Sequence, residues 1–503
     1  MKRILAAVLG WACVVAQAPA QDGQRLPMPP MPEELKAYFD AALAAERIAD
    51  PLQRCLAYPD LPGNQWLEGV VQVHCNRVAR PRAITLDELE RLLDQPDGAA
   101  ALESRLSALL EAHFEDPEQR DRIHEFYRQL EADERSGALA TRWLRAAPES
   151  AFAMAAMGIQ RARQGWEARG TALAAETGEH QLQRMGQHFV AAAGLLDDAL
   201  SRQPRLSPAC VALTEIGRMS DDGLQQRALA HCLEVDPHSY YVVSEMMMSA
   251  LPKWGGSLKA IDLVEAHARK HLDRTPTLHA MFARARMERL VASESGDSEA
   301  YLAAARIAPH ADVHVAAARK TEGWARVVQV SQALRFWPEH RYSRHDRYAA
   351  MFRAGLWEWA GIDLEWLART FPENREYQYN HAWVLKMQRR YHEAQPRLRA
   401  ILAWPDPPPE AKDLLCEALA GVPETVGSQE VDECSTRLLQ ERPELAAPWF
   451  WRASYLMSHD DRDALRSLLA RIRTAKLEGP AEERTWLIHY VEEYLERAAW
   501  PAG

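Results

Sequence analysis

The apolar residues of this chain recur at helical spacing from its first folded stretch to its last. Glu33 to Glu46 reads as an amphipathic helix, and Leu86 to Leu93, Gly98 to His113 and Asp116 to Asp133 read as further helices without a common period. From Ala138 to Arg145 onward the helical stretches come in pairs. Ala151 to Leu173 pairs with Gln181 to Gln203, Pro208 to Arg218 with Leu224 to Val235, and Pro448 to Leu456 with Asp461 to Arg473. Glu482 to Ala499 then reads as a closing helix with one polar face. Alternating apolar and polar runs are missing and hairpin-turn dipeptides are few, so the pattern predicts an all-α chain.

Prolines punctuate the pairs. Pro204, Pro237, Pro276, Pro309, Pro338, Pro372, Pro405 and Pro443 are separated by 33, 39, 33, 29, 34, 33 and 38 residues. A period of about 34 is that of tetratricopeptide (TPR-like) helix-turn-helix repeats. Single hairpins of this kind cannot bury their apolar faces alone, so they stack into an α-solenoid. The expected organisation is a signal peptide (1–20), a proline-rich leader (21–32), an irregular N-terminal helical segment (33–137), TPR-like repeats at 138–309 and 310–478, and a capping helix (479–503).

The signal peptide rests on Lys2 and Arg3, the short apolar run Ile4 to Val15, and the small residues Ala18 and Ala20 before Gln21. The run is short for a membrane span, which needs about 20 residues. No later stretch is apolar enough, so no transmembrane segment is expected after signal removal. Cys13 lacks the preceding branched residue of a lipidation site. A net charge of −11 argues against nucleic acid as a partner. Arginine outnumbers lysine 51 to 9, which is read as coding bias.

Six cysteines remain in the mature chain, in three local pairs: Cys55 with Cys75, Cys210 with Cys232, and Cys416 with Cys434. Export makes disulfides the expectation. In an antiparallel helical hairpin, residues equidistant from the turn sit side by side. Cys210 and Cys232 each lie eleven residues from Asp221, and Cys416 and Cys434 flank a turn centred near Glu424 and Thr425. For Cys55 and Cys75 the loop Tyr58 to Asn64 is off-centre, and that bridge is assigned by elimination. No pair has the CxxC spacing of a zinc site.

Two stretches go beyond a generic repeat: Gly165-Trp166-Glu167-Ala168-Arg169-Gly170 with Glu176-Thr177, and Leu251-Pro252-Lys253-Trp254-Gly255-Gly256-Ser257. With Trp143-Leu144 before Ala147-Pro148-Glu149-Ser150, they resemble a bacterial family of TPR-like proteins known as a domain of unknown function. The resemblance covers roughly Trp143 to Arg274; it implies a fold and no activity. In physical terms, Gly165 and Gly170 make room for a crossing helix, and Arg169 and Glu176 are placed to pair near it. Gly255 and Gly256 allow a turn with positive φ, and Ser257 caps the next helix. The functional expectation is that Trp166, Arg169 and Trp254 line a peptide-binding surface.

Signatures of chemistry are sparse. His267 and His271, four apart, have metal-ligand spacing, but the glutamate of an HExxH motif is missing and a solvated helix face is the plainer reading. His310 and His314 repeat the spacing, and His124-Glu125 opens the same motif with Arg128 where its second histidine belongs. Neither a GxSxG elbow nor a phosphate-binding loop occurs. No catalytic residue, metal or cofactor is therefore expected. Tryptophan is the stronger lead: nine of the sixteen fall between Trp324 and Trp451, with Trp357, Trp359 and Trp366 inside ten residues. Trp357 and Trp359 cannot share a helix face, so at least one is expected outside the core, beside the basic segment His340 to His345. The sequence thus points to a periplasmic or secreted, non-catalytic repeat protein that binds a protein or peptide of the cell envelope through aromatic and arginine anchors. The alternative is an envelope glycan- or peptide-directed hydrolase, or a subunit of one, using an unrecognised carboxylate pair.

Overall fold

Helices start in this chain where a short polar side chain can satisfy free backbone N–H groups. In a computed structural model that describes residues 28–170 and 176–497, Ser150 Oγ accepts from Ala153 N, Ser257 Oγ from Ala260 N, and Asn374 Oδ1 from Tyr377 N. Every regular element among the described residues is helical. The expected signal peptide and most of the leader lie outside the described residues. No described helix is long and apolar enough to cross a membrane. The molecule is an all-α solenoid of paired helices, and it divides into two units, 31–343 and 344–503.

In the unit 31–343, the hairpins are Ala151–Arg169 with Glu179–Arg202, Ser207–Ser220 with Asp222–Val235, Tyr240–Ala250 with Leu258–Lys270, Ala280–Ala292 with Ser298–Ala305, and Ala311–Arg319 with Gly323–Phe336. The first pair crosses closely. A Cβ on Gly165 would stand 2.6 Å from the Phe189 ring, so this position requires glycine for space. At the second motif Gly255 has φ +84°, as expected, but Gly256 does not share the positive φ. Its glycine is needed because a Cβ would meet the Ala250 carbonyl oxygen at 2.2 Å.

The N-terminal segment has a role that its irregular periodicity does not announce. It runs back along the junctions where one hairpin's second helix ends and the next hairpin begins. Gln332 Nε2 donates to Tyr38 Oη (3.0 Å), Arg335 Nε donates to the Cys55 carbonyl (2.8 Å), and Trp66 Nε1 donates to the Ala305 carbonyl (3.3 Å). The Arg77 guanidinium lies 3.9 Å from the Tyr240 ring centre. The tightest attachment is a buried polar node. Asp121 N–H donates to His113 Nδ1 (2.9 Å), which leaves the Nε2 hydrogen of His113 to bond Asp236 Oδ2 (2.7 Å). Arg120 Nη1 reaches the other Asp236 oxygen (3.3 Å), and the Asp121 carboxylate accepts from Ser239 Oγ and Tyr240 N. Burial by itself would raise the Asp236 carboxyl. The hydrogen bond from His113 and the charge of Arg120 outweigh it and hold Asp236 at about 2.

All three cysteine pairs are bridged, with Cα separations of 5.7 Å for Cys55–Cys75, 5.6 Å for Cys210–Cys232 and 5.9 Å for Cys416–Cys434. The first joins the helices Pro51–Ala57 and Val70–Ala79, so the off-centre loop is accommodated beyond the helix ends.

The unit 344–503 begins inside the helix Arg341–Arg353 and continues through Trp357–Thr370, Arg375–Met387, Tyr391–Leu402, Ala411–Ala420, Gln429–Glu441, Ala446–Ser458 and Arg462–Thr474. The last helix, Ala481–Arg497, buries Leu487 and Val491 against the preceding pair. A carboxylate also anchors this unit. Asp363, fully buried, accepts from Arg344 Nη1 (2.9 Å) and from Arg347 Nε (2.7 Å) and Nη2 (2.8 Å).

Two outcomes follow. Replacing Cys210 and Cys232 together by serine lowers stability by about 3 kcal/mol in urea titrations, the entropy of a loop of this length; peptide mapping that finds those thiols free in exported protein refutes the bridge. Asp236→Ala strands buried His113 and Arg120 and costs about 3–5 kcal/mol, the range for breaking a buried ion pair. Its amide exchange accelerates first in residues 113–127, and uniform acceleration across the unit contradicts the anchoring role.

Candidate functional site

The side chains that the two motif stretches contribute meet in space. Trp166, near the end of Ala151–Arg169, and Trp254, in the short turn after Tyr240–Ala250, stand edge to face with ring centres 6.5 Å apart. Trp166 also packs edge to face on Phe189 (5.8 Å). The Arg218 guanidinium lies 5.5 Å from the Trp254 ring centre and pairs with Glu245. Arg169 turns back on its own helix end, its Nη1 donating to the Gly170 carbonyl (3.1 Å). Gly170 has φ +75° and ends that helix, so it serves the turn and not a helix crossing.

Beside the tryptophan pair is a cavity of about 270 Å³. Its walls come from the helices Arg122–Tyr127, Ala151–Arg169, Ser207–Ser220 and Tyr240–Ala250, and include His124, Arg128, Arg163, Arg218, Tyr241 and Glu245. His124 and Tyr241 stack at 4.9 Å with their planes 17° apart, and Arg128 lies 5.4 Å from the Tyr241 ring centre. Glu215, also on the wall, pairs with Arg163 at 3.5 Å. Burial pushes His124 down to about 3, so it is neutral at physiological pH. Burial, with the neighbouring Glu215, pushes the Glu245 carboxyl up to about 8 against the opposing charges of Arg218 and Arg284.

The histidines do not assemble a metal centre. His113, Asp121 and His124 come close enough to share an ion, yet both nitrogens of His113 are committed, the Asp121 oxygens accept from Ser239 and Tyr240, and His124 Nε2 bonds Ser207 Oγ (2.9 Å). Glu125, which follows His124, is held by two bonds from Arg80. His267 is not on a solvated face: its Nε2 hydrogen bonds the Pro237 carbonyl, locking the turn that opens the next hairpin. His310 caps the helix Ala311–Arg319, and His314 is buried with Nδ1 on Gln329 Oε1 (2.8 Å).

The tryptophans of the other unit are placed differently. Trp359 is 4% exposed, so the binding role expected for it is withdrawn; it lies under the Arg347 guanidinium at 5.1 Å. Arg344, expected as a cation beside the aromatics, turns inward to Asp363 and lies 4.9 Å from the half-buried Trp366 ring. Trp357 is half-buried against Phe352 (5.4 Å) and Trp383 (4.9 Å). Sequence reasoning missed Arg128, Arg218, Glu245 and the His124–Tyr241 stack. Of these, His124 and Arg128 stood out in the sequence only as the opening of a metal motif and the residue that spoils it.

Fold and site together define a helical-repeat protein with a cavity next to its tryptophan pair, joined to it through Arg218. Residues 183–280 match the family described as Domain of unknown function (DUF4034), a span that holds Trp254, Arg218 and Glu245. A search of curated proteins finds no match. Among solved structures, the P58(IPK) TPR domain is similar at 12% identity over 64% of this chain and 97% of that one, with a TM-score of 0.21. Yeast Tom70 is similar at 13% identity over 93% of this chain and 90% of that one, with a TM-score of 0.25. At those values the likeness says nothing of what this chain binds.

The Glu245 carboxyl generates a pH signature. The native state keeps a proton there that the unfolded chain releases near the ordinary glutamate value of about 4.3. Between roughly pH 5 and 8 the folded state therefore binds more protons, and this site makes stability fall as pH rises, by at most about 1.4 kcal/mol per pH unit. Glu245→Gln removes that component. Urea midpoints measured from pH 5 to 9 test it, and an equal slope in wild type and variant disproves it.

Proposed function

We propose that this protein is an exported, non-catalytic helical-repeat protein that binds a protein or peptide partner in the cell envelope through the face bearing Trp166, Trp254 and the adjoining cavity. One observation carries the reading: two stretches more than eighty residues apart bring their tryptophans together beside an arginine-lined hollow. Aromatic and arginine side chains are the usual anchors of interfaces. Arg169 closes the helix that presents Trp166, and Trp357 and Trp366 remain secondary candidates on the other unit. Three disulfides and the N-terminal signal pattern support export, since such bridges persist in oxidising compartments.

A hydrolase reading draws on one feature, the presence of Glu215 and Glu245 on one cavity wall with Glu245 pushed up. A raised carboxyl near a second carboxylate is the pattern of a general acid. Against it, each carboxylate is engaged by an arginine, Glu215 by Arg163 and Glu245 by Arg218. Release of soluble fragments from envelope glycan or peptides by wild type and not by Glu245→Gln would favour that reading.

For the binding reading, the tagged, natively exported protein is crosslinked and its envelope partners identified by mass spectrometry. The double variant Trp166→Ala, Trp254→Ala loses the enriched partner by about tenfold or more, the scale of two hot-spot truncations, and its urea midpoint moves less than that of Trp143→Ala, a fully buried residue. Undiminished capture by the double variant removes the face from consideration.

A further inference from the structure

The wall of the cavity carries a cationic donor that the protein leaves without an acceptor, and two more lie close by. Arg218 has a side chain only 4% exposed. Its Nη1 serves Glu245, but its Nε hydrogen meets no acceptor among the described residues. Arg284 is 8% exposed and reaches the cavity wall through Met248, to whose sulfur its Nη2 donates (2.6 Å). Its Nε stands 3.8 Å from Glu288, outside hydrogen-bond range, and is likewise without an acceptor. Arg77, flanking Tyr240 and Tyr241, has a third such Nε. Leaving a buried donor without an acceptor costs about 1–3 kcal/mol, more for a charged group, so the Arg218 donor on the cavity wall is a feature that needs a purpose.

The charge balance points the same way. Arg128, Arg163 and Arg218 line the cavity, and Arg77 and Arg284 flank it, against Glu215 and Glu245 on its wall and Glu288 beside Arg284. An excess of positive charge is thus concentrated here in a chain whose net charge is −11. Glu125 does not redress it, being consumed by Arg80. The imidazole of His124 adds a flat surface, stacked with Tyr241 beneath Arg128. At about 270 Å³ the hollow falls below the usual size of a pocket for a whole drug-sized ligand. One or two residues of a longer chain suit it better. The Glu215 carboxylate on the wall would repel a dianion more than a monoanion, which favours carboxylate over phosphate.

We propose that this cavity receives a carboxylate group of an acidic peptide, with Arg218 supplying a buried N–H donor and Arg128 and Arg163 supplying charge at the wall. The inference rests on the peptide-binding reading above and specifies its ligand. The carboxylate has two possible sources, an acidic side chain or a chain terminus. In either case the Glu245 carboxyl, which Arg218 Nη1 already serves, competes with the ligand for the same guanidinium.

The test uses full-length, disulfide-bonded protein and fluorescence anisotropy with three fluorescein-labelled probes: hexaglutamate amidated at its C-terminus, hexaglutamine with a free C-terminus, and amidated hexaglutamine. Tighter binding of the first than of the third assigns the carboxylate to side chains; tighter binding of the second alone assigns it to a terminus. Both outcomes support the proposal. Arg128 is exposed and has no buried role, so Arg128→Gln keeps the fold, which circular dichroism checks, and weakens the bound probe about fivefold; Arg218→Gln weakens it about tenfold or more, as expected for buried charge contacts. Arg399→Gln, on the exposed surface of the other unit, is the control and leaves binding unchanged. The proposal is overturned if neither carboxylate probe binds better than amidated hexaglutamine, or if Arg128→Gln and Arg399→Gln behave alike. An envelope partner captured through Trp166 and Trp254 by a protein that ignores all three probes would sink this inference and leave the binding reading standing.

Discussion

The buried carboxylate of Asp236 is the constraint on which the unit 31–343 depends. A solenoid of hairpins needs nothing at the starts of its first helices except solvent or a cap. Here a long irregular segment lies across the junctions between hairpins, and its residues from Ile84 to Leu130 share an apolar core with the hairpins up to Ala228. Asp236 fixes the position of that segment by accepting from His113 and Arg120, while Asp121 N–H fixes the His113 tautomer and the Asp121 carboxylate caps the next helix at Ser239 and Tyr240. Asp121 adopts φ +68°, in the left-handed region that a non-glycine residue rarely occupies. That conformation is kept because three bonds over-determine it.

The same docking explains the cavity. The helix Arg122–Tyr127 follows the anchored Asp121 directly and brings His124 and Arg128 over the helices Ser207–Ser220 and Tyr240–Ala250. Without the segment there would be a face but no hollow. The arginines of the repeats would then have water to bond, and the cost of their buried Nε hydrogens would vanish. Enclosure and unsatisfied donors are two aspects of one arrangement.

Most of the fold was legible in the sequence because hairpin repeats are governed by local rules. Proline spacing, caps such as Ser257, and cysteines placed symmetrically about Asp221 report contacts between residues near in sequence. The site was legible only in part. Trp166 and Trp254 could be singled out from their motifs, and Gly165 signalled a close crossing. Arg218 and Glu245 could not, since each reads as an ordinary charged residue on a repeat helix until the neighbour that buries it is known. Asp236 shows the limit well: Asp236-Pro237 reads as the end of a repeat, and nothing in that dipeptide reveals a histidine 123 residues earlier. Trp359 erred in the other direction, since an arginine above its ring lets a core residue sit beside polar ones.

The contact between Tyr38 and Gln332 spans 294 residues, and that between Cys55 and Arg335 spans 280, whereas the Cys210–Cys232 hairpin closes over 22. Contacts so far apart in sequence form slowly, and chains emerge from synthesis with the N-terminus first. The segment that appears earliest is therefore among the last to be seated. Hairpins from Ala151 onward can zip up as they emerge, each on its neighbour. Tyr38 and Phe39, buried in the finished molecule, must wait in the open until the helix ending at Phe336 has arrived. Assembly is thus paced by completion of the unit, and that interval is when the chain most needs protection from aggregation.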